Sequence, residues 1–245
     1  MTNKELKFLL ELRKKISEGY KNRNIKSQLG TTFYQLERDI KSAVSFWENN
    51  QNTMKMLGAE YERLQIGGGS RYLKNFVNVD VFPPADVIWD CRYKLPFKNE
   101  SFKFVFTEHF LEHIDFPSSV KFVLNDVRRV LKPGGTLFLS IPDGGRAISA
   151  YTRNSKPFLR KLYKVCYSGR KPKVEIFGKI DIINYLFRDQ IENKKYTPHY
   201  WAYDVESITN LLKSIGFKKV KRAGFDKNYC NPKRKFYTLY IKAIK

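Results

Sequence analysis

The stretch RLQIGGGSRYLKNFVNVD, from Arg63 to Asp80, constrains the fold of this chain more than any other. It consists of a short apolar run, three consecutive glycines, and a second apolar run that ends in an acid. In an α/β sheet, this arrangement lets bare backbone approach a ligand at Gly67, Gly68 and Gly69, while the Asp80 carboxylate accepts ribose hydroxyls. The pattern therefore indicates a nucleoside-binding site at the carboxyl ends of two neighbouring strands.

Short apolar runs, separated by turns and crossovers, set the fold class. They lie at 63–66, 76–81, 85–89, 102–107 and 136–141, with a helical stretch from Ser118 to Leu131 before the last of them. Two final runs, Phe217 to Phe225 and Phe236 to Ile244, are predicted to pair as an antiparallel hairpin at the sheet edge. We expect an α/β, Rossmann-like doubly wound fold with a mostly parallel seven-strand sheet.

Helical periodicity precedes this sheet. Residues 1–60 form a predicted N-terminal helical extension, whose second helix is expected to begin near Thr32 with a capping box to Gln35. The extension could pack on the core, form a homodimer contact, or cover the substrate. Residues 61–245 form the main domain, within which 144–203 is a long connection between the fifth strand and the last helix.

Composition narrows the functional classes. Three cysteines, Cys91, Cys166 and Cys230, form no CxxC pair, so we expect neither a disulfide framework nor a zinc knuckle, and a reducing cytoplasm fits best. No segment approaches the length of a signal-peptide core or a membrane span. The net charge is +22, and a basic surface of this kind attracts phosphates, although a solvated lysine-rich surface is an equal alternative.

The glycines themselves are not diagnostic. Arg71 and Tyr72 stand where the later glycines of GxGxxG would be, and the lysine of a P-loop is missing. A dinucleotide pyrophosphate is therefore poorly accommodated, which favours a ligand without phosphates.

A series of eight motifs is more specific, since they occur in order across about a third of the chain. They are LQIGGG at 64–69, NVD at 78–80, ADVIWD at 85–90, LPF at 95–97, SFKFV at 101–105, LEH at 111–113, VLKPGG at 130–135 and PD at 142–143. The series resembles the class I S-adenosylmethionine-dependent methyltransferases of the type 11 subgroup. The segment HYWAYD at 199–204 is also similar to members in polysaccharide and natural-product pathways.

The resemblance implies a methyltransferase domain at 61–245 with S-adenosylmethionine as its cofactor. Gly67, Gly68 and Gly69 would contact the methionine and ribose, and Asp80 would accept both ribose hydroxyls. The remaining cofactor-binding residues would be Asp90, which accepts the adenine amine with the Cys91 and Arg92 backbone alongside, and Thr107 to His109, which border the sulfonium. Most relatives have an acid where this chain has Gln65, which weakens a contact to the methionine ammonium.

Methyl transfer to a hydroxyl also requires a group that removes a proton. The candidate catalytic residues are His109, His199 and Asp143, with His113 a weaker candidate, and proximity without a base is the alternative. His109 and His113 could bind zinc on a helix, but Glu112 is not at the HExxH position, so no metal is expected.

The methyl acceptor is less constrained. The chain lacks the Pro-Pro-aromatic stretch of base-amino methyltransferases at Thr107–Phe110, and it has no Pro-Cys nucleophile. We expect a small-molecule or glycan acceptor that is methylated on a sugar hydroxyl and that could carry a phosphate. The alternatives are an RNA methyltransferase, with nucleic acid as a less favoured partner, and a non-catalytic partner subunit.

The connection at 144–203 is predicted to shape the acceptor pocket, because both its ends lie at the carboxyl edge of the sheet. Three arginines could meet an anionic acceptor: Arg153, Arg160 and Arg170. Three aromatic residues offer flat surfaces for a sugar ring: Tyr200, Trp201 and Tyr203. The alternative is that these aromatic residues only attach the connection to the sheet.

Overall fold

The computed structural model describes residues 2–21, 28–48, 61–169, 175–188 and 198–245. The strands are β1 (Arg63–Ile66), β2 (Val77–Asp80), β3 (Val87–Ile88), β4 (Phe102–Glu108), β5 (Leu131–Pro142), β6 (Lys218–Arg222) and β7 (Thr238–Ile244). The α-helices are α1 (Asn3–Lys21), α2 (Gln28–Glu48), α3 (Ser118–Val130), α4 (Gly144–Thr152), α5 (Lys156–Cys166), α6 (Lys179–Arg188) and α7 (Val205–Ser214). Short 3₁₀ helices lie at Leu111–His113 and Pro232–Tyr237.

The strands form one seven-stranded sheet in the order β3-β2-β1-β4-β5-β7-β6. The first five strands in this order pair in parallel, and β7 pairs antiparallel with both β5 and β6. The predicted fold class is therefore confirmed. Because Ile66 lies opposite Thr107 in the register of β1 and β4, the glycine loop and the end of β4 are neighbours at the carboxyl edge.

Three predicted boundaries are wrong. Strand β5 begins at Leu131, directly after α3, because the Lys132–Gly135 turn forms a bulge against β4 and pairing starts before it. The hairpin strands are shorter than predicted, since 232–237 coil into a 3₁₀ helix before β7. Helix α2 begins at Gln28, so Thr32 lies inside it and does not cap it. The capping pattern was misleading there because Leu29 continues the apolar stripe of Leu36 in the sequence.

The N-terminal extension contacts the β3 side of the sheet. Ile40 and Val44 of α2 are buried, and the Phe46 ring meets the edge of Trp89 at 5.2 Å between ring centroids. Trp89 directly precedes Asp90 in the chain. Helix α2 therefore packs beside the segment that is expected to contact adenine. Of the three roles considered for the extension, this contact agrees with packing on the core.

The connection between β5 and α7 forms a helical layer with its own apolar core. Leu159 and Leu162 of α5 and Ile183 and Leu186 of α6 are buried there together with Tyr237. At its base, Gly144 donates to the Tyr203 carbonyl over 2.9 Å, so both ends meet at the sheet edge as predicted. Arg170 lies outside the described residues.

No helix in the described part of the chain is long and apolar enough to cross a membrane. The three cysteines are free thiols and all are buried.

A buried ion pair joins α3 to the loop before β4. Asp126 accepts a hydrogen bond from the Leu95 backbone, and the Arg129 guanidinium contacts Asp126 while donating to the carbonyls of Leu95 at 2.9 Å and Phe97 at 2.6 Å. Removing the guanidinium would leave a buried carboxylate and two carbonyls without these donors.

We therefore expect Arg129→Ala to lower the free energy of unfolding by about 3 kcal/mol. Lys121→Ala, at an exposed position of the same helix, should change it by less than about 0.5 kcal/mol. Urea unfolding followed by circular dichroism measures both. Equal transition midpoints for the two variants would contradict this role of the ion pair.

Candidate active site

The loop after β1 is held by the acid at the end of β2. The Gly69 amide donates to Asp80 Oδ2 over 2.8 Å, and the Phe82 amide donates to Asp80 Oδ1 over 3.1 Å. Burial raises the pKa of Asp80, whereas the backbone donors act in the opposite direction. Gly67 and Gly69 have φ values of +68° and +57°, a conformation that glycine adopts without the strain of a side chain.

The three glycines have different surroundings. A Cβ on Gly67 would lie 2.3 Å from Cδ2 of the Phe110 ring, and one on Gly68 would lie 2.7 Å from Gln65 Nε2. A Cβ on Gly69 would meet nothing within 4 Å. The Phe110 and Gln65 side chains therefore leave no room for a side chain at Gly67 and Gly68. The open space for a ligand is at Gly69, beside Asp80.

Two buried polar atoms near this loop have no hydrogen-bond partner among the described residues. They are Gln65 Oε1 on β1 and Thr107 Oγ1 on β4. Gln65 Oε1 is an acceptor and could receive a hydrogen bond from an ammonium group. Thr107 pairs in the sheet with Ile66, the last residue before the glycine loop. Unmatched buried polar atoms such as these are consistent with a polar ligand in the adjoining space.

Asp90 is held more firmly than its sequence context indicated. Its carboxylate accepts from the Arg92 backbone at 2.9 Å, and the Arg92 guanidinium also donates to both carboxylate oxygens. Cys91 is buried, and burial raises the pKa of its thiol, so it is an apolar wall and not a nucleophile. An adenine amine at Asp90 would share the carboxylate with the Arg92 side chain.

Arg71, which departs from the pattern of related sequences, pairs across the site. Its guanidinium donates to Glu108 Oε2 over 2.7 Å, and the other oxygen of Glu108 accepts from the Asn231 amide over 2.8 Å. Glu108 is buried at the end of β4. This ion pair connects the glycine loop, β4 and the segment before β7.

His109 follows β4 and has a defined tautomer. Its Nε2 lies 2.8 Å from Thr238 Oγ1, and the Thr238 hydroxyl donates its single hydrogen to the Arg234 carbonyl over 2.7 Å. His109 Nε2 must therefore carry the donated hydrogen, which leaves Nδ1 with a lone pair. Burial, and next the positive charge of Arg234, lower the pKa of His109 well below its ordinary value, so the ring is neutral at neutral pH.

A second group of polar side chains adjoins His109. Glu112 Oε1 lies 3.4 Å from His109 Nδ1, yet neither carboxylate oxygen of Glu112 has a hydrogen-bond partner among the described residues. Burial raises the pKa of Glu112 to about 8. The His113 and His199 rings are in edge contact, with centroids 4.8 Å apart. The fold thus brings the three histidines to one site, together with Glu112, which was not assigned a role from the sequence.

Asp143, the third candidate catalytic residue, has structural contacts. Its carboxylate accepts from the Arg146 amide at the start of α4 and pairs with Arg222 at 3.0 Å. These contacts disfavour proton removal by Asp143. Its catalytic role remains a prediction.

A glycine loop after β1, an acid at the end of β2 and this strand order define a Rossmann-like nucleoside-binding domain. Residues 67–139 match the family model described as a methyltransferase domain. This match confirms, for this region, the predicted resemblance to the class I S-adenosylmethionine-dependent methyltransferases of type 11, with S-adenosylmethionine as the cofactor. No curated protein is significantly similar to the sequence.

Solved structures with a similar fold include three methyltransferases. An S-adenosylmethionine-dependent methyltransferase from Methanosarcina mazei is 18% identical, with a TM-score of 0.46, and the match covers 78% of this chain and 96% of that one. A second, from Archaeoglobus fulgidus, is 14% identical with a TM-score of 0.44, and the match covers 85% of this chain and 94% of that one. The third is phosphoethanolamine N-methyltransferase 2 of Haemonchus contortus, in complex with S-adenosyl-L-methionine. It is 14% identical with a TM-score of 0.40, and the match covers 91% of this chain and 58% of that one. Similarities at this level support no conclusion about the substrate of this chain.

Proposed function

We propose that this protein transfers the methyl group of S-adenosylmethionine to a hydroxyl of a sugar or sugar-containing metabolite, with His109 as the general base. The observation that carries this proposal is the hydrogen-bond chain from His109 Nε2 through Thr238 to the Arg234 carbonyl, which leaves Nδ1 as the lone-pair nitrogen of a ring that directly follows β4. The cofactor supplies an electrophilic methyl group on its sulfonium. Gly69 and Asp80 position the ribose, and Gln65 Oε1 accepts from the ammonium group.

His109 is preferred over the other candidate bases because of its hydrogen bonds. Thr238 fixes the ring through Nε2, so Nδ1 is presented in one orientation, as a positioned base requires. The carboxylate of Asp143 is paired with Arg222. His199 is held in a similar way, with its Nδ1 3.2 Å from the Leu186 carbonyl, but it does not follow β4, whose end pairs with the start of the glycine loop.

Exposed aromatic surface beside this site favours a sugar ring as acceptor. Trp201 stacks on Phe116 with centroids 4.4 Å apart and an interplanar angle of 9°, and both side chains are exposed, as is Tyr200. The Tyr200 amide donates to the Glu112 carbonyl over 2.7 Å, which holds this surface next to the histidines. Tyr203 is buried, so the prediction that it offers a flat exposed surface is wrong: its ring packs in the core under the sheet edge.

Positive charge in the helical layer suits a phosphate-bearing acceptor. Lys156 and Arg160 are exposed on α5 and line a pocket of about 760 Å³ together with Tyr163 and one acid, Glu175, so the charge of its lining is positive by one. Arg153 is also exposed. Part of the basic character has another explanation, because the edge strand β6 exposes lysines, which oppose edge-to-edge association. A cytoplasmic location, where both the cofactor and activated sugars occur, belongs to the same proposal.

Transfer of labelled methyl groups tests this function. The full chain is incubated with methyl-labelled S-adenosylmethionine and a panel of nucleotide sugars, glycans and transfer RNA. We expect label in a sugar-containing acceptor. Label only in RNA would replace the proposal with the RNA alternative, and tight cofactor binding without transfer to any acceptor would favour a non-catalytic subunit.

Trp201→Ala tests the aromatic surface. Loss of one stacking face should raise the acceptor Michaelis constant about 5–30-fold, equivalent to about 1–2 kcal/mol, with a smaller change in turnover. Tyr93→Ala serves as a control, since Tyr93 is an exposed aromatic residue whose amide donates to the carbonyl of Asp90, on the adenine side of the site. Steady-state kinetics measures both. An unchanged Michaelis constant with only a lower melting temperature would show that Trp201 is scaffolding.

A further inference from the structure

We propose that Glu112, His113 and His199 form a binding site for a divalent transition-metal ion. One ligand-capable atom from each of these three side chains lies within 4.8 Å of the other two. Glu112 and His199 are buried, and His113 is half-buried. Two of the residues come from the 3₁₀ turn after β4 and the third comes from the segment before α7. The fold therefore brings together ligands that are more than eighty positions apart in sequence.

The unmatched carboxylate of Glu112 is an independent indication of a ligand. Its side chain is 1% exposed, and both oxygens have no hydrogen-bond partner among the described residues. A buried carboxylate without donors is costly, and proteins usually supply either a donor or a cation. Here the neighbouring groups are histidine rings, which can join the carboxylate in coordinating a cation.

A backbone carbonyl contacts one ring nitrogen of each histidine. His113 Nδ1 lies 3.3 Å from the Pro198 carbonyl and His199 Nδ1 lies 3.2 Å from the Leu186 carbonyl. A carbonyl can only accept, so each Nδ1 carries the hydrogen and each Nε2 keeps its lone pair. A carbonyl that holds the second nitrogen of the ring is the usual outer contact of a metal-bound histidine.

The donor set determines the class of metal. Two imidazoles and one carboxylate suit zinc and neighbouring divalent transition metals, whereas magnesium prefers oxygen ligands and octahedral geometry. Ligand atoms around a tetrahedral zinc are about 3.4 Å apart, so atoms that lie up to 4.8 Å apart would close by up to about 1.4 Å on binding. Three protein ligands leave a coordination position open, as in catalytic zinc sites.

This site departs from the sequence-based expectation that the chain holds no metal. It also differs from the pair considered there, His109 and His113, because His199 replaces His109 as the second imidazole. His109 remains outside the coordination set as the base. A catalytic role for the ion rests on the proposed function. An acceptor hydroxyl at the open position would have its pKa lowered by the ion and would release its proton more readily to His109.

Metal binding is measured on the full chain without cofactor or acceptor, so the result does not depend on the proposed function. The protein is treated with a chelator, dialysed against zinc, cobalt(II) or magnesium, and analysed for bound metal per chain by mass spectrometry. The absorption of bound cobalt(II) reports imidazole and carboxylate ligation. We expect one zinc or cobalt per chain and no stoichiometric magnesium.

Two variants and one control decide the assignment. Glu112→Gln and His199→Ala should each weaken zinc binding by about 100-fold or more, because losing a ligand costs more than losing an outer contact. Asp115→Asn, at an exposed carboxylate three positions after Glu112, should bind zinc as the wild type does. Circular dichroism tests whether each variant is folded. If one of the two ligand variants does not fold, the other variant decides the assignment.

The proposal is overturned if the wild-type chain retains no stoichiometric zinc or cobalt, or if it retains as much after either ligand is replaced. Binding of magnesium alone would equally overturn it. Methyl transfer that persists in the metal-free protein would remove the role in acceptor activation but leave the binding site in place. Loss of zinc binding with Asp115→Asn would place the ion elsewhere.

Discussion

Replacing His109 with asparagine is expected to lower the rate of methyl transfer about 10²–10⁴-fold, the range for loss of a positioned general base. The affinity for S-adenosylmethionine should change only a few-fold, because the residues that hold its ribose and ammonium groups remain. Asparagine is the appropriate substitute, since His109 has a φ of +52° and asparagine tolerates this left-handed conformation. Single-turnover kinetics with labelled cofactor measures the chemical step directly.

Two measurements distinguish a base from a structural residue. Calorimetric titration with the cofactor and the melting temperature should both stay near wild-type values in the His109 variant. Thr238→Val provides a second test, because it removes the acceptor for His109 Nε2 and frees the ring to take the other tautomer. This variant should lose turnover with a smaller effect than the His109 variant. Activity within a few-fold of wild type for His109→Asn would eliminate His109 as the base.

The sheet could be predicted from the sequence because its signals are local. Strands β1 to β5 each contain a short apolar run that ends at a turn residue or an acid, and the order of the motifs fixes the parallel connections. Boundaries were less predictable where tertiary contacts decide them. The 3₁₀ helix at 232–237 is an example, since Tyr237 is buried among residues of the distant helices α5 and α6. No local pattern in the sequence contains this contact.

The cofactor side of the site was predicted more fully than the acceptor side. Gly69 and Asp80 belong to one continuous motif, and the structure joins them by a hydrogen bond. The contacts of Gly67 with Phe110 and of Arg71 with Glu108 were not foreseen, because each joins two strand ends that are far apart in the chain.

Glu112 shows why the remainder was missed. In the sequence it is the central residue of LEH, between two histidines whose role was itself ambiguous. Its significance depends on burial and on the absence of donors around its carboxylate, and neither property has a sequence signature. The available signal was a pair of polar residues, Glu112 and His113, between the apolar residues Leu111 and Ile114. It indicates only that the segment enters the core.

Asp80→Asn is expected to weaken S-adenosylmethionine binding about 100-fold, equivalent to about 2.7 kcal/mol. The carboxylate accepts from the amides of Gly69 and Phe82 and, in the complex, from the ribose hydroxyls. The asparagine amide keeps the shape and one acceptor oxygen, but it lacks the charge, and hydrogen bonds to a charged group each contribute about 1.5–3 kcal/mol.

The alternative for Asp80 is that it is only a turn acid that shapes the glycine loop, and Asp226→Asn is the matched control for that role. Asp226 also accepts from the amide two positions later, Asn228 at 3.0 Å, but it lies in the turn before the 232–237 helix, away from the glycine loop. Both variants should lower the melting temperature slightly, because each loses a charge-assisted bond to the backbone. Only Asp80→Asn should raise the dissociation constant in calorimetric titration, and the product S-adenosylhomocysteine should be affected equally, because it has the same ribose. If the two variants bind the cofactor equally well, Asp80 does not contact the ribose, and the space beside Gly69 must be assigned to another part of the ligand.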